Sequence, residues 1–192
     1  MSEKKNSSPE FVFRREDHTY WLGNSRLPSV TQVLTGCGLV FEPQEQFYLE
    51  RGRIIHRCCE LLVLGTLDWY TVDDRILGWV HSYNKFIIHQ KWNIRTVETS
   101  RYSQAYLFAG TWDAGFDTDW LLDLKSGRPA KWHKLQLGGY WHLNGEKKKT
   151  RCASLYLQQD GSIARLVEHN GREAWLHFRV FLDYYNLRDQ YV

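Results

Sequence analysis

The run Leu122-Asp123-Leu124-Lys125 sets a carboxylate and an ammonium two residues apart among apolar neighbours. In an extended strand, residues two apart leave the same face, so Asp123 and Lys125 share one surface while Leu122 and Leu124 point into a core. Asp113 stands ten residues earlier, in Thr111-Trp112-Asp113-Ala114-Gly115-Phe116, and a hairpin turning at Asp117-Thr118-Asp119 brings it opposite that pair. Two carboxylates so close repel each other unless a proton or a cation intervenes, and a hard divalent ion satisfies both by oxygen ligation. Such an ion beside a lysine suits phosphodiester hydrolysis, which needs a water of lowered pKa and neutralised charge on the phosphoryl oxygens.

A lone D-x-K arises by chance on many exposed strands, so the elements that carry it must decide. Over 94–124, β-branched and aromatic residues are broken by polar ones and by Gly110 and Gly115, which predicts three strands, the last two forming the hairpin. Upstream, Phe11-Val12-Phe13 and Tyr20-Trp21-Leu22 flank polar turn residues like a short hairpin, with a second turn at Gly23-Asn24-Ser25. Ser29 is a capping hydroxyl before Val30, Val33 and Leu34, so a short helix starts there and stops near Gly36 or Gly38. Phe47, Ile54, Ile55, Cys58, Leu61 and Leu62 recur at helical spacing and predict an amphipathic helix over 43–64 that carries Arg51, Arg53, His56 and Glu60. A second helix fits 73–90. Past the Gly127-Arg128-Pro129 break, a helix is expected over 130–146, strands over 151–158 and 163–167, and a closing helix over 172–189. This order predicts an α/β fold with a mixed central β-sheet flanked by α-helices.

Of the 192 residues, 43% are hydrophobic and 15% aromatic, enough for one sizeable core. Residues 10–192 therefore read as a single domain behind a disordered leader, 1–9. The net charge of +3 gives only a mild hint of an anionic partner. The four cysteines show no C-x-x-C spacing, and the adjacent pair Cys58-Cys59 does not readily chelate one tetrahedral metal, so they read as packed thiols in a reducing compartment. The polar N-terminus has no apolar h-region and no stretch of eighteen apolar residues occurs, so neither secretion nor a membrane span is expected.

Four segments stand in order along the chain: Arg51-Gly52-Arg53-Ile54-Ile55-His56, Gly110-Thr111-Trp112-Asp113, Leu122-Asp123-Leu124-Lys125-Ser126-Gly127 and Gln136-Leu137-Gly138-Gly139-Tyr140. Together they resemble the PD-(D/E)XK nuclease superfamily in its RecB-like branch. The opening 18–34, with Leu27-Pro28-Ser29-Val30-Thr31, looks like the hairpin and helix that begin many members. The resemblance implies a restriction-endonuclease-like core and a DNA nuclease using Mg²⁺ or Mn²⁺. It implies His56, Asp113, Asp123 and the backbone carbonyl of Leu124 as metal ligands. Lys125 would orient the water or stabilise developing phosphorane charge, and Gln136 and Tyr140, four apart on one helical face, would position the substrate or Lys125. Arg51, Arg53, Lys131 and Lys134 become candidate phosphate contacts. Glu60, one turn past His56, and Glu98 are further candidates for the ion, against a reading as solvated carboxylates. Some RecB-like nucleases hold an iron-sulfur cluster with a C-terminal cysteine trio; no cysteine follows Cys152, so no cluster is expected.

The activity so implied is an exonuclease on DNA ends or single strands, serving recombination, repair or phage DNA processing in the cytoplasm of a bacterial or phage-infected cell, with a recombination or replication protein as a candidate partner. The end preference follows from the resemblance alone. A flap or junction endonuclease is compatible with the same centre. A DNA-binding module with little hydrolysis is the other rival, and intact Asp113, Asp123 and Lys125 argue against it. Nine Trp, eleven Tyr and nine Phe offer stacking surfaces for a single strand, but the sequence singles out none of them.

Overall fold

A computed structural model describes residues 9–40, 46–116 and 119–191. Most of the expected leader, the residue that would open the 43–64 helix, and Asp117 and Thr118 of the expected turn lie outside that set. The elements run β1 (Phe11–Arg14), β2 (Thr19–Leu22), β3 (Ser25–Leu27), α1 (Val30–Gly36), α2 (Gln46–Val63), a 3-10 turn (Trp69–Thr71) and α3 (Asp74–Gln90). They continue with β4 (Ile94–Ser103), β5 (Phe108–Phe116), β6 (Trp120–Lys125), α4 (His133–Leu143), β7 (Arg151–Tyr156), β8 (Arg165–His169) and α5 (Gly171–Tyr191).

Five strands form one mixed sheet in the order β4-β5-β6-β7-β8, as expected of an α/β fold flanked by helices. All neighbours are antiparallel except β6 and β7, whose parallel pairing runs from Trp120↔Arg151 to Lys125↔Tyr156. A parallel pair needs a crossover, and α4 supplies it. Helices cover both faces. Ile55 and Cys59 of α2 and Ile76, Trp79, Val80, Tyr83 and Phe86 of α3 pack on Leu122, Leu124, Ala153 and Leu155. On the other face, Val33 and Leu34 of α1, Leu137 and Tyr140 of α4 and Phe178 and Leu182 of α5 pack with Leu121 and Cys152. Strand β6 is thus central and covered on both sides, so Asp123 is buried rather than lying on an open strand face.

Local chemistry sets the element ends. Ser29 and Gln32 form a reciprocal capping box on α1, a cap of the kind that contributes about 1 kcal/mol. Helix α4 is shorter than the expected 130–146: His133 Nδ1 accepts the Ala130 N–H, which holds 130–132 as a turn, and Gly145 at φ +85° ends the helix region. Strand β8 starts two residues later than expected because Asp160 accepts the Ser162 N–H and Gly161 turns at φ +73°. Strand β3 falls where only a turn was expected: the Gly23-Asn24 turn closes a second hairpin, pairing Leu22 with Ser25 and Tyr20 with Leu27. This three-stranded sheet is tied to the main one where Tyr20 Oη meets Thr111 Oγ1 at 2.8 Å and Ala109 N–H donates to Pro28 O at 3.0 Å.

Two glycines in the motifs allow close approach. A Cβ at Gly110 would stand 2.9 Å from the Tyr140 ring, and one at Gly138 would collide with the Ala174 backbone. Helix α4 therefore lies tight against both β5 and α5, and that fixes where Gln136 and Tyr140 point.

Candidate active site

Lys125, at the end of β6, is held on several sides. Its Nζ lies 2.6 Å from Asp123 Oδ2 and donates to Gln136 Oε1 at 2.7 Å, with the Trp132 ring centroid 5.3 Å away. Gln136 in turn donates from Nε2 to Tyr140 Oη at 2.8 Å and to Thr31 Oγ1 at 3.4 Å. An ammonium only donates, so the Gln136 amide must present its oxygen to Lys125, and Tyr140 on the next turn of α4 fixes that orientation. Helix α4 thus aims one cation.

Asp113 joins the second group. The β5–β6 ladder consists of Ala114↔Leu122 and Gly115↔Leu121, and one register step further places Asp113 level with Asp123. There the strands part: the Leu124 N–H donates to Asp113 Oδ2 at 2.6 Å instead of to a strand carbonyl. The other oxygen, Oδ1, lies 2.9 Å from Nδ1 of His56, which reaches in from α2. On the far side, Val97↔Ala114 and Thr99↔Trp112 bracket Glu98 opposite Asp113. Glu98 sits at φ +45°, a conformation uncommon for a side chain other than Asn, Asp or Gly. Donor atoms of His56, Glu98 and Asp113 all lie within 4.8 Å of one another. One rung of the sheet therefore carries Glu98, Asp113 and Asp123.

Burial pushes the Asp123 carboxyl up to about 6, Lys125 holding it down and Asp113 pushing it further up. Burial, aided by Asp113, raises Glu98 to about 7. Burial also works against ionised Asp113, but His56, the Leu124 N–H and Lys125 outweigh it and hold Asp113 low. Likewise, Asp113 overcomes the effect of burial on His56 and raises it. Asp123 Oδ2 is buried and, among the described residues, faces only the Lys125 ammonium, 2.6 Å away. A crowded set of carboxylates together with an imidazole is the donor chemistry that a divalent cation fits.

No family model matches the sequence, and no curated protein matches it either. Among solved structures, the chain is similar to LHK-Exo in complex with dAMP, at TM-score 0.48 and 11% identity over 84% of this chain and 87% of that one. It is similar also to the alkaline exonuclease LHK-Exo from Laribacter hongkongensis, at TM-score 0.44 and 13% identity over 85% and 89%.

The remaining candidates divide by position. Glu60 is buried, and both its oxygens are taken, by Arg15 and by Arg57, so it stands apart from the three converging donors. Arg51 packs between Tyr48 and Trp79, and Arg53 is exposed on the same turn of α2. Lys131 is exposed in the turn before α4, while Lys134, on the helix, is near enough to His169 to add to the lowering that burial causes there. Sequence reasoning missed Arg15, whose partner Glu60 is 45 residues away, and Thr31 and Trp132, which touch Gln136 and Lys125. It also missed His133, whose Nδ1 lies 2.9 Å from Tyr156 Oη and which burial drives down to about 3, leaving a neutral ring to brace the approach to α4. Chain-distant pairings of this kind leave no local pattern to find. Among the described residues, no helix is long and apolar enough to cross a membrane.

The raised carboxyls have a consequence for stability. Folded Glu98 and Asp123 keep protons that the unfolded chain has released, so their contribution is full below their ordinary values of 4.5 and 3.8 and is lost as pH rises through about 7 and about 6. In chelator, the melting temperature of wild type is expected to fall over that window more steeply than that of Glu98→Gln. Parallel melting curves for the two would show that Glu98 is not strained by its neighbours.

Proposed function

We propose that this chain is a divalent-metal-dependent DNA nuclease of the PD-(D/E)XK superfamily, an exonuclease of the RecB-like type acting in recombination, repair or phage DNA processing. The observation that carries the reading is Asp113 standing level with Asp123 on neighbouring strands, beside a Lys125 aimed by Gln136 and Tyr140. His56, Asp113, Asp123 and the Leu124 carbonyl would hold Mg²⁺ or Mn²⁺, with Glu98 as a further carboxylate at the edge. Bound there, the ion supplies Lewis acidity, easing deprotonation of water and drawing charge from the phosphoryl oxygens.

The chain's own groups do the rest. Lys125 orients the attacking water and faces the negative charge that grows on the phosphorus oxygens, while Gln136 and Tyr140 keep its ammonium from swinging away. The site opens to solvent at His56, 29% exposed, and closes toward Asp123, 4% exposed, so a backbone phosphate approaches from the α2 side. Arg51 and Arg53 on α2, and Lys131 and Lys134 around the start of α4, are proposed to neutralise flanking phosphates.

The test is degradation of end-labelled linear DNA and of covalently closed circles, with Mg²⁺ or Mn²⁺ and with chelator. The expected result is metal-dependent loss of the linear substrate, with circles intact. Nicked circles would make the chain an endonuclease, and binding without cleavage would leave a DNA-binding module on this scaffold.

A further inference from the structure

Phe47 and Tyr48, in the first turn of α2, are 55% and 50% exposed, with ring centroids 5.6 Å apart and planes inclined at 73°. The guanidinium of Arg51 lies 5.0 Å from the Tyr48 ring centroid and 4.8 Å from that of buried Trp79, a stack that fixes a permanent cation beside the exposed pair. Its Nε is buried in that stack with no hydrogen-bond partner among the described residues, so the guanidinium is held by its rings rather than by a carboxylate. Arg53, exposed beside it, makes no ion pair among the described residues.

The placement ties this patch to the active site. Tyr48, Gly52 and His56 follow one another at i, i+4 along one face of α2. A Cβ on Gly52 would stand 3.8 Å from Ser126 Oγ, next to Lys125, and His56 bonds Asp113. The exposed rings therefore stand ~12 Å along the helix axis from His56, at 1.5 Å per residue, in line with the catalytic groups.

We propose that Phe47 and Tyr48 form a stacking platform for the bases of a single nucleic-acid strand, with Arg51 taking a phosphate of that strand. The proposal rests on the nuclease reading and adds to it a preference for strands whose bases are unpaired. Aromatic faces accept any base, so the platform gives affinity without sequence preference. The nearby cations favour a polyanion over a second copy of this chain as the occupant.

The test uses the full chain in chelator, so that nothing is cut, and measures fluorescence anisotropy with a labelled short oligothymidine and with an abasic strand of equal length. The variant Phe47→Ala Tyr48→Ala is expected to bind oligothymidine about tenfold or more weakly and the abasic strand within about twofold of wild type. Tyr48→Phe, which keeps its ring, is expected to bind as wild type does. Both positions are exposed, so unchanged melting of the double variant checks that it folds. Equal loss on both strands, no loss on either, or no binding of either strand by wild type overturns the platform. So does a fall in solution mass of the double variant with DNA binding unchanged, which makes the patch a contact between copies. The two claims fail separately: a wild type that cleaves no DNA while the base-dependent loss is seen removes the nuclease reading alone, and a cleaving wild type with an unaffected double variant removes the platform alone.

Discussion

Lys125→Ala is expected to lower the rate of DNA hydrolysis roughly 10²–10³-fold or more, equivalent to about 3–4 kcal/mol of transition-state stabilisation. The size follows from where the ammonium sits. It is pinned between Asp123 and Gln136 in a largely buried site, where a fixed cation acts on developing charge without having to reorganise. With divalent cation present, the carboxylates of Asp113 and Asp123 keep a positive neighbour in the variant, so folding and metal affinity are expected to survive. Single-turnover rates on end-labelled DNA, beside calorimetric titration with Mn²⁺, separate the two effects. Near-normal turnover in the variant would remove Lys125 from the chemistry.

The two aspartates are expected to behave alike in activity and differently in stability. Asp113→Ala and Asp123→Ala should each reduce cleavage at least ~10³-fold, because each would withdraw an anionic ligand from the proposed cation site. Asp113 also receives the Leu124 N–H and pairs with His56, and its pKa is held low by these partners after burial is overcome. Its removal leaves a buried amide without an acceptor, a loss of ~1–3 kcal/mol, or about 3–10 °C in melting temperature for a domain of this size. Asp123 pairs with Lys125 at 2.6 Å, yet burial raises its carboxyl to about 6, so near neutral pH the pair offsets the cost of its buried charge only in part. In chelator, Asp123→Ala is therefore expected to melt within a few degrees of wild type. Scanning calorimetry with and without Mn²⁺ checks both, and a large loss of metal-free stability in Asp123→Ala alone would contradict the assignment.

Features with a local period were legible in the sequence. The two-residue spacing of Asp123 and Lys125 put them on one face, the hairpin placed Asp113 beside them, and the i, i+4 spacing of Gln136 and Tyr140 let one orient the other. The mixed sheet followed from the order of strands and helices. What depended on register or on distant partners was not legible. Glu98 faces Asp113 only because the β4–β5 register shifts by one residue between Ile94 and Thr96; without that shift, its side chain would lie on the other face. Glu60 has the same spacing to His56 that a ligand would have, yet Arg15 and Arg57 occupy it. Gly138 lies in a motif, but its role becomes visible only once Ala174 of α5 is seen against it.

The most direct measurement is an anomalous difference map from a crystal soaked with Mn²⁺ and a short oligonucleotide. A peak bonded to carboxylate oxygens of both Asp113 and Asp123 is expected, with a backbone phosphate lying between that peak and Lys125 Nζ. An ion bound away from these two carboxylates, or a strand on another face of the sheet, would contradict it.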